Sequence, residues 1–229
     1  EKRQAVITKA VTKGIDRDTS MKDSGVEWIG EIPKHWEENV FGRFMRLHQG
    51  LQIDRSKRFH EPGKNRYKYI TVKFLNSDDK KSDVEYIEDP RKEVMCDEDD
   101  ILLARTGATG EVITDTKGVF HNNFFLINFD QDKIIKDFLV YFLKDKRLKE
   151  LLKLKAGVTT IPDLNHGDFL NTSFLLPPKK EQKEIIGFLN ESLEEIDKVI
   201  SKVKEQNQKL KEYKKTLISK VVTGKIKIN

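Results

Sequence analysis

Residues 179–222 read KKEQKEIIGFLNESLEEIDKVISKVKEQNQKLKEYKKTLISKVV, with no proline and with Gly187 as the only glycine. The stretch follows Pro177-Pro178. Proline suits a first helical turn, where its missing N–H would have no partner. The whole predicts one helix, about 65 Å long at 1.5 Å per residue. Leu189, Leu193, Ile196, Ile200, Val203, Leu210, Leu217 and Val221 recur at spacings of four and three, with Asn207 and Lys214 filling the two gaps. This is a heptad seam of the coiled-coil type, and a polar residue within it fixes register at some cost in stability. So narrow a stripe on so long a helix calls for a partner of similar length. A helix packed on its own domain is the alternative.

Charge gives the partner a direction. Glu191, Glu194, Glu195 and Asp197 fill the first half of the helix; Lys209, Lys211, Lys214, Lys215 and Lys220 fill the second. A parallel copy sets like against like, whereas an antiparallel copy sets acid against base at both ends.

The chain also repeats itself. RQAVITKAVTKGI (3–15) matches KKTLISKVVTGKI (214–226) without a gap, pairing Ile7 with Ile218, Lys9 with Lys220, Val11 with Val222, Thr12 with Thr223 and Ile15 with Ile226. The chain opens with the tail of an element that it spells out in full at its end, as one period of a tandem duplication would. Chance similarity of two Lys-rich helix ends is the alternative.

Residues 17–176 read as a mixed α/β domain. KYITVKFL (68–75), EVMCDEDDILLART (93–106), EVITD (111–115), NFFLINF (123–129) and SFLLP (173–177) have strand character. DKIIKDFLVYFLKDKRLKELLKLKA (132–156) predicts one helix or two, with Ile134, Phe138, Tyr141, Phe142 and Leu148 on the apolar side. Residues 51–67 and 157–167 read as polar loops. The fold class is therefore α+β: a globular domain at 17–176, a partial helical repeat at 1–16, and a long coiled-coil-type helix at 177–229.

An apolar fraction of 37% supports one real core, and a charged fraction of 35% implies much solvated surface. A single cysteine, Cys96, excludes an intrachain disulfide and fits a reducing compartment. No apolar run approaches the roughly 20 residues that span a bilayer, and no signal peptide is visible. A cytoplasmic location is expected, and the absence of an initial Met fits a piece of a longer protein. The net charge of +5 resides in the C-terminal segment: from Lys179 onward 13 Lys face eight Asp plus Glu, and the rest cancels. Within the neutral part, residues 41–75 hold nine Lys plus Arg and only Asp54 and Glu61, while residues 76–100 hold eleven acids. Such sorting offers a basic face to phosphates. Equally, the two segments neutralise one another.

Catalytic constellations are missing. There is no GxxxxGK[ST]. Gly107-Ala108-Thr109-Gly110 is a lone GxxG, either a plain tight turn or a close approach to phosphate. The five His residues lack metal-ligand spacing among themselves or with Cys96. Asp115-Thr116-Lys117 has no fitting upstream acid, and Leu176-Pro177-Pro178-Lys179 lacks the flanking residues of an amino-methyltransferase motif. No catalytic residue, cofactor or metal is expected of this chain.

MKDSGVEWIGEIPKHWE (21–37), DILLARTGATGEV (100–112), IPDLNHGDFLNTSFLLPPKKEQKEIIGFL (161–189) and LISKVVTGKI (217–226) together resemble the type I restriction–modification specificity subunits. The resemblance implies a non-catalytic subunit whose target-recognition domain binds double-stranded DNA, each domain reading one half of a split target across antiparallel spacer helices. It also implies docking of a modification subunit, which methylates adenine with S-adenosylmethionine, and through it a restriction subunit driven by ATP with Mg. The family carries two recognition domains; this chain has one domain and one complete spacer helix. Trp28, Ile29, Ile32, Pro33 and Trp36 belong to the resembling segment and are expected to pack against the core.

The resemblance and the basic stretch nominate Gln52, Arg55, Lys57, Arg58 and Lys73 for DNA contact, with Arg105, Thr106 and Thr109 in a turn and Thr159 and Thr160 in a later loop. Each stands against the alternative of ordinary solvated surface. The rival for the whole is a coiled-coil scaffold whose globular domain grips a protein. Residues 1–15 are too short to cover the seam from Leu189 to Val221. An isolated chain is therefore expected to dimerise through antiparallel helices and to favour an inverted-repeat target.

Overall fold

The computed structural model describes residues 1–73, 84–157 and 162–223 and shows a mixed α+β fold with a long C-terminal helix. It divides into two units, Glu1–Ile186 and Gly187–Asn229.

The first unit opens with helix α1 (Lys2–Lys13), which buries Ile7, Ala10, Val11 and Thr12 and stops at Gly14, φ 71°. That left-handed value costs glycine nothing and ends a helix cleanly. A short hairpin follows, β1 (Met21–Asp23) against β2 (Glu31–Pro33). Ile29, Ile32 and Trp36 are fully buried, and Trp28 meets Phe142 edge-on with centroids 6.2 Å apart. The apolar residues of this segment are thus packing residues. Strand β3 (Glu37–Val40) then pairs antiparallel with β12 (Ser173–Leu176), so the two ends of the domain close on each other.

Between them lie the one-turn helix α2 (Phe41–Phe44) and strands β4 (Met45–Gln49), β5 (Arg66–Ile70), β6 (Glu85–Glu88), β7 (Met95–Cys96), β8 (Leu102–Ala104), β9 (Val112–Ile113), β10 (Gly118–Phe120) and β11 (Phe124–Phe129). They form two four-stranded sheets, ordered β6-β5-β10-β7 and β4-β11-β8-β9. Among the described strands only β5 and β10 run parallel, with Val119 beside Tyr69 and Phe120 beside Ile70. Ile70, Cys96 and Phe120 of the first sheet share one core with Leu102, Ala104, Phe124 and Leu126 of the second.

Helices α3 (Lys136–Leu143), α4 (Lys146–Lys155) and α5 (His166–Leu170) complete the unit, and α1 packs on α3, α4 and β2. An aromatic cluster ties these layers together. Phe41 stacks on Phe169 at 4.5 Å and on Phe174 at 5.2 Å, and meets Phe142 edge-on at 6.0 Å. The final helix, α6 (Lys179–Val222), begins within this unit. Its buried Gln182 accepts from Ile135 N at 2.8 Å and donates to the Lys133 and Pro177 carbonyls at 2.9 and 2.8 Å. Glu181 accepts from Trp36 Nε1 at 2.8 Å.

Two expectations change in detail, and a third is settled between its alternatives. The strand expected over 68–75 starts at Arg66 and ends at Ile70; Val72 and Lys73 are helical, and residues 74–75 lie outside the described residues. Ile70 is the last residue with a parallel partner, and its carbonyl accepts from His121 N at 3.0 Å. The segment 93–106 is two strands in different sheets. Asp97 and Asp100 turn the chain between them: their carboxylates accept from Asp99 N and Asp97 N, both at 2.9 Å. Such side-chain bonds compete with a strand ladder. Residues 132–156 break at Asp145, whose carboxylate caps α4 by accepting from Arg147 N at 2.7 Å.

In the second unit the helix continues to Val222. Of the heptad residues, Leu189 and Leu193 are buried and Ile196 and Val221 are half-buried, whereas Ile200, Val203, Asn207, Leu210 and Leu217 are exposed. Ion pairs one turn apart, Glu194–Lys198 at 2.5 Å and Glu205–Lys209 at 2.6 Å, support the exposed faces.

Removing the ring at the centre of the aromatic cluster is expected to be costly. Phe41→Ala leaves a cavity among three other rings and should destabilise the protein by about 3–5 kcal/mol. A lowered urea midpoint at unchanged slope is the expected result; an unchanged midpoint contradicts this account of the core.

Candidate nucleic-acid interface

The loop after β4 is shaped by its backbone. A Cβ at Gly50 would collide with the Phe120 and His121 carbonyls, so only glycine lets the chain pass. Leu51 N then donates to Phe120 O at 2.8 Å, and Asn122 N donates to Leu51 O at 3.0 Å. The Tyr69 hydroxyl donates to the same carbonyl at 2.6 Å. A short 3-10 turn follows at Arg55–Lys57. Arg58 folds back beneath it: Nε and Nη2 donate to Ile53 O at 3.2 and 2.7 Å, and Nη1 pairs with Glu85 at 3.0 Å. Its guanidinium also lies 5.1 Å from the Tyr69 ring centroid. Arg58 therefore holds the loop, while Gln52, Arg55 and Lys57 remain exposed on it.

Two adjoining cavities of about 370 and 500 Å³ open beside this loop and share Arg55, Arg58 and His121. Gln52 and Lys57 line the first; His60, Lys73 and Asn123 line the second. Among the described residues the carboxylates there are Asp54 and Glu85, and Glu85 is engaged by Arg58. Arg55 and Lys57 form no ion pair among the described residues. The basic and acidic segments do neutralise one another in part, through Arg58–Glu85 and Arg66–Glu88 at 3.1 Å. What remains is a basic rim at the ends of β5 and β10. His121 sits at its centre, its Nδ1 accepting from Asn123 N at 3.0 Å. Burial, and then the Arg58 charge, lower its pKa, so the ring is neutral and carries its proton on Nε2. Burial pushes the neighbouring Tyr69 hydroxyl up to about 12.

The second group of nominated residues has a different setting. Arg105 Nη2 pairs with Asp163 at 2.5 Å and Nε donates to Leu164 O at 3.2 Å. Thr106 donates to the other Asp163 oxygen at 2.5 Å. Thr109 is buried and its hydroxyl donates to Arg105 O at 3.0 Å. These three side chains hold a turn and fasten the segment after α4. Gly107 and Gly110, φ 81° and 83°, make that turn. It adjoins the basic rim: the Arg105 and Thr106 amides donate to Asn123 O, and Val72 lies against Gly107. Thr159 and Thr160 lie outside the described residues. Among the described residues no cluster of His, Cys, Asp and Glu could hold a metal ion.

The sequence reading missed His121, Asn122 and Asn123. They follow a strand of three residues, and nothing local reveals that the bonds of Leu51 to Phe120 and Asn122 bring them beside Gln52.

The state of His121 is measurable. Because its folded value is lowered, the unfolded chain takes up the proton first. Stability is present above the ordinary value of 6.5 and is lost as pH falls through it toward the folded value. An NMR titration should place the His121 midpoint below 6.5; a midpoint at or above it contradicts the buried neutral ring.

Comparison with known proteins places the fold. Residues 33–212 match the family described as the type I restriction modification DNA specificity domain. The MjaVIII specificity subunit of Methanocaldococcus jannaschii is 26% identical over 197 residues, covering 84% of this chain and 43% of that protein. The StySPI specificity subunit of Salmonella potsdam is 26% identical over 141 residues, covering 56% of this chain and 30% of that protein. The chain thus spans less than half of either relative. A chain from a structure of type I R-M complex assembly and conformational transition superimposes with a TM-score of 0.71 at 15% identity, covering 96% of this chain and 51% of that one. The HsdS subunit from Thermoanaerobacter tengcongensis superimposes with a TM-score of 0.60, also at 15% identity, covering 85% and 43%. These structures share the fold, and the family match over most of the chain decides its membership: the chain belongs to the type I restriction–modification DNA specificity family.

Proposed function

We propose that this chain is the non-catalytic, sequence-specific DNA-binding part of a type I restriction–modification specificity subunit. It reads one half of a split duplex target and docks the modification subunit. The observation that carries this reading is the basic rim at the ends of β5 and β10, where exposed Arg55 and Lys57 share a cavity with Gln52 and Lys73 lines the adjoining one. Lys and Arg position phosphates, and neighbouring polar groups read base edges. Arg58 serves by fixing the loop, and Arg105, Thr106 and Thr109 by fixing the adjacent turn. Catalysis belongs to partner subunits, which use S-adenosylmethionine, Mg and ATP. A cytoplasmic location goes with this role. No helix of the described residues is long and apolar enough to cross a membrane.

The division follows the same reading: a preceding spacer-helix tail at 1–16, the recognition domain at 17–176 and a spacer helix at 177–229. The spacer forms an antiparallel coiled coil, supported by the exposed Ile200, Val203, Leu210 and Leu217 and by the acid-then-base order of its charges. In isolation the chain pairs with a second copy and favours an inverted-repeat target.

Two measurements test this. Affinity for random duplexes should fall as salt rises, and Arg55→Ala or Lys57→Ala should each reduce the slope of log affinity against log salt by about 1. Absent or salt-independent binding favours a protein-binding scaffold instead. In light scattering at micromolar concentration the chain should be a dimer. Replacing Ile196, Ile200 and Val203 with Asp should give a monomer; a wild-type monomer, or a dimer that survives the substitutions, overturns the pairing.

A further inference from the structure

At the centre of the rim, Asn122 Nδ2 donates to Gln52 Oε1 at 2.7 Å. Gln52 is exposed and Asn122 is half-buried. Both backbones are fixed by the Leu51 bonds to Phe120 and Asn122 and by the glycine at position 50. The fixed backbones set the two amides within reach of one another, and their mutual bond orders the side chains.

One bond between two amides leaves a defined remainder. Gln52 keeps both N–H donors and one lone pair on Oε1, and Asn122 keeps one N–H and its whole carbonyl oxygen; the groups lying wholly outside the mutual bond are the Gln52 NH₂ and the Asn122 carbonyl. Exchanging oxygen and nitrogen in both amides reverses the bond but leaves the same set, one donor group beside one acceptor. The remainder is uncharged, which suits a base edge better than a phosphate. The cations for phosphate, Arg55 and Lys57, line the same cavity as Gln52.

A donor beside an acceptor is complementary to an acceptor beside a donor. In the major groove adenine is the one base whose own edge offers that pair, N7 and the N6 amino group; guanine offers two acceptors, cytosine one donor and thymine one acceptor, and a G·C pair sets an acceptor beside a donor only across its two bases. We infer that the Gln52–Asn122 amide pair is a base-reading element of this domain and specifies an adenine in its half of the target. The inference rests on the DNA-binding reading above and goes beyond it by naming the base and the two side chains that read it. His121, neutral with its proton on Nε2 and adjacent in sequence to Asn122, adds no competing charge there.

Selection of bound sequences from a random duplex pool tests this, using the full chain with its modification subunit. Wild type, Gln52→Ala, Asn122→Ala, the double variant and Arg55→Ala are compared, with thermal unfolding as the check on folding. The wild type should show an A·T pair at one position that both single variants relax. Affinity for the wild-type site should drop about 10-fold to 100-fold, with other positions kept and the double variant little worse than the weaker single. Arg55→Ala should weaken binding to all sequences alike. A double variant that keeps every wild-type preference overturns the inference while leaving DNA recognition intact. So do single variants that relax different positions, or a relaxed position that is not A·T. A wild type with no sequence preference overturns both readings.

Discussion

Everything at the basic rim depends on one backbone arrangement: β5 and β10 end side by side, and the Leu51 peptide is bonded across that end. Parallel strands leave a sheet in the same direction, so the residues after Ile70 and after Phe120 emerge together. Leu51 adds a third segment by exchanging bonds with Phe120 and Asn122. Three stretches far apart in the chain thereby deliver Gln52, Lys73, His121 and Asn122 to one edge. Without the parallel pair they would lie on unrelated loops.

Charge at this edge is divided between holding and displaying. Arg58 and Arg105 are each drawn inward by two kinds of partner, a carboxylate and a backbone carbonyl. Multidentate bonds of this kind lock a guanidinium in place and offset much of its charge locally. Arg43 and Arg46 likewise donate to Asn39 and to the Gly42 and Met45 carbonyls. Those bonds go to neutral groups and leave Arg43 and Arg46 exposed, as are Arg55, Lys57, Lys64, Lys68 and Lys73; of the nine basic residues over 41–75 it is Arg58 and Arg66 that are half-buried and held by carboxylates.

The outline of the fold was legible because its signals are long or repeated. The 44-residue helix, the strand at 124–129 and the Pro-Pro boundary each stand out in the sequence. Short elements were not legible: β1, β3 and β10 have three or four residues each, too few for a period to show. The Asp97–Asp100 turn was hidden inside an apparently continuous strand because its cause is side-chain bonding rather than a glycine or proline. At the candidate site, charge and resemblance pointed to the loop of Gln52, Arg55 and Lys57, which is exposed. The holding roles of Arg58, Arg105, Thr106 and Thr109 were not legible, since a cation or hydroxyl that binds its own fold has the same letter as one that binds a ligand.

The Leu51 bridge is made of main-chain atoms, except for one tyrosine hydroxyl. Its bonds are therefore indifferent to what residues 52 and 122 carry beyond Cβ. A scaffold joined in this way permits the displayed side chains to be exchanged while the joint stays in place. The side chains at 52 and 122 are thus free to diverge without the fold having to be solved again, and selection on what they display is uncoupled from selection on stability.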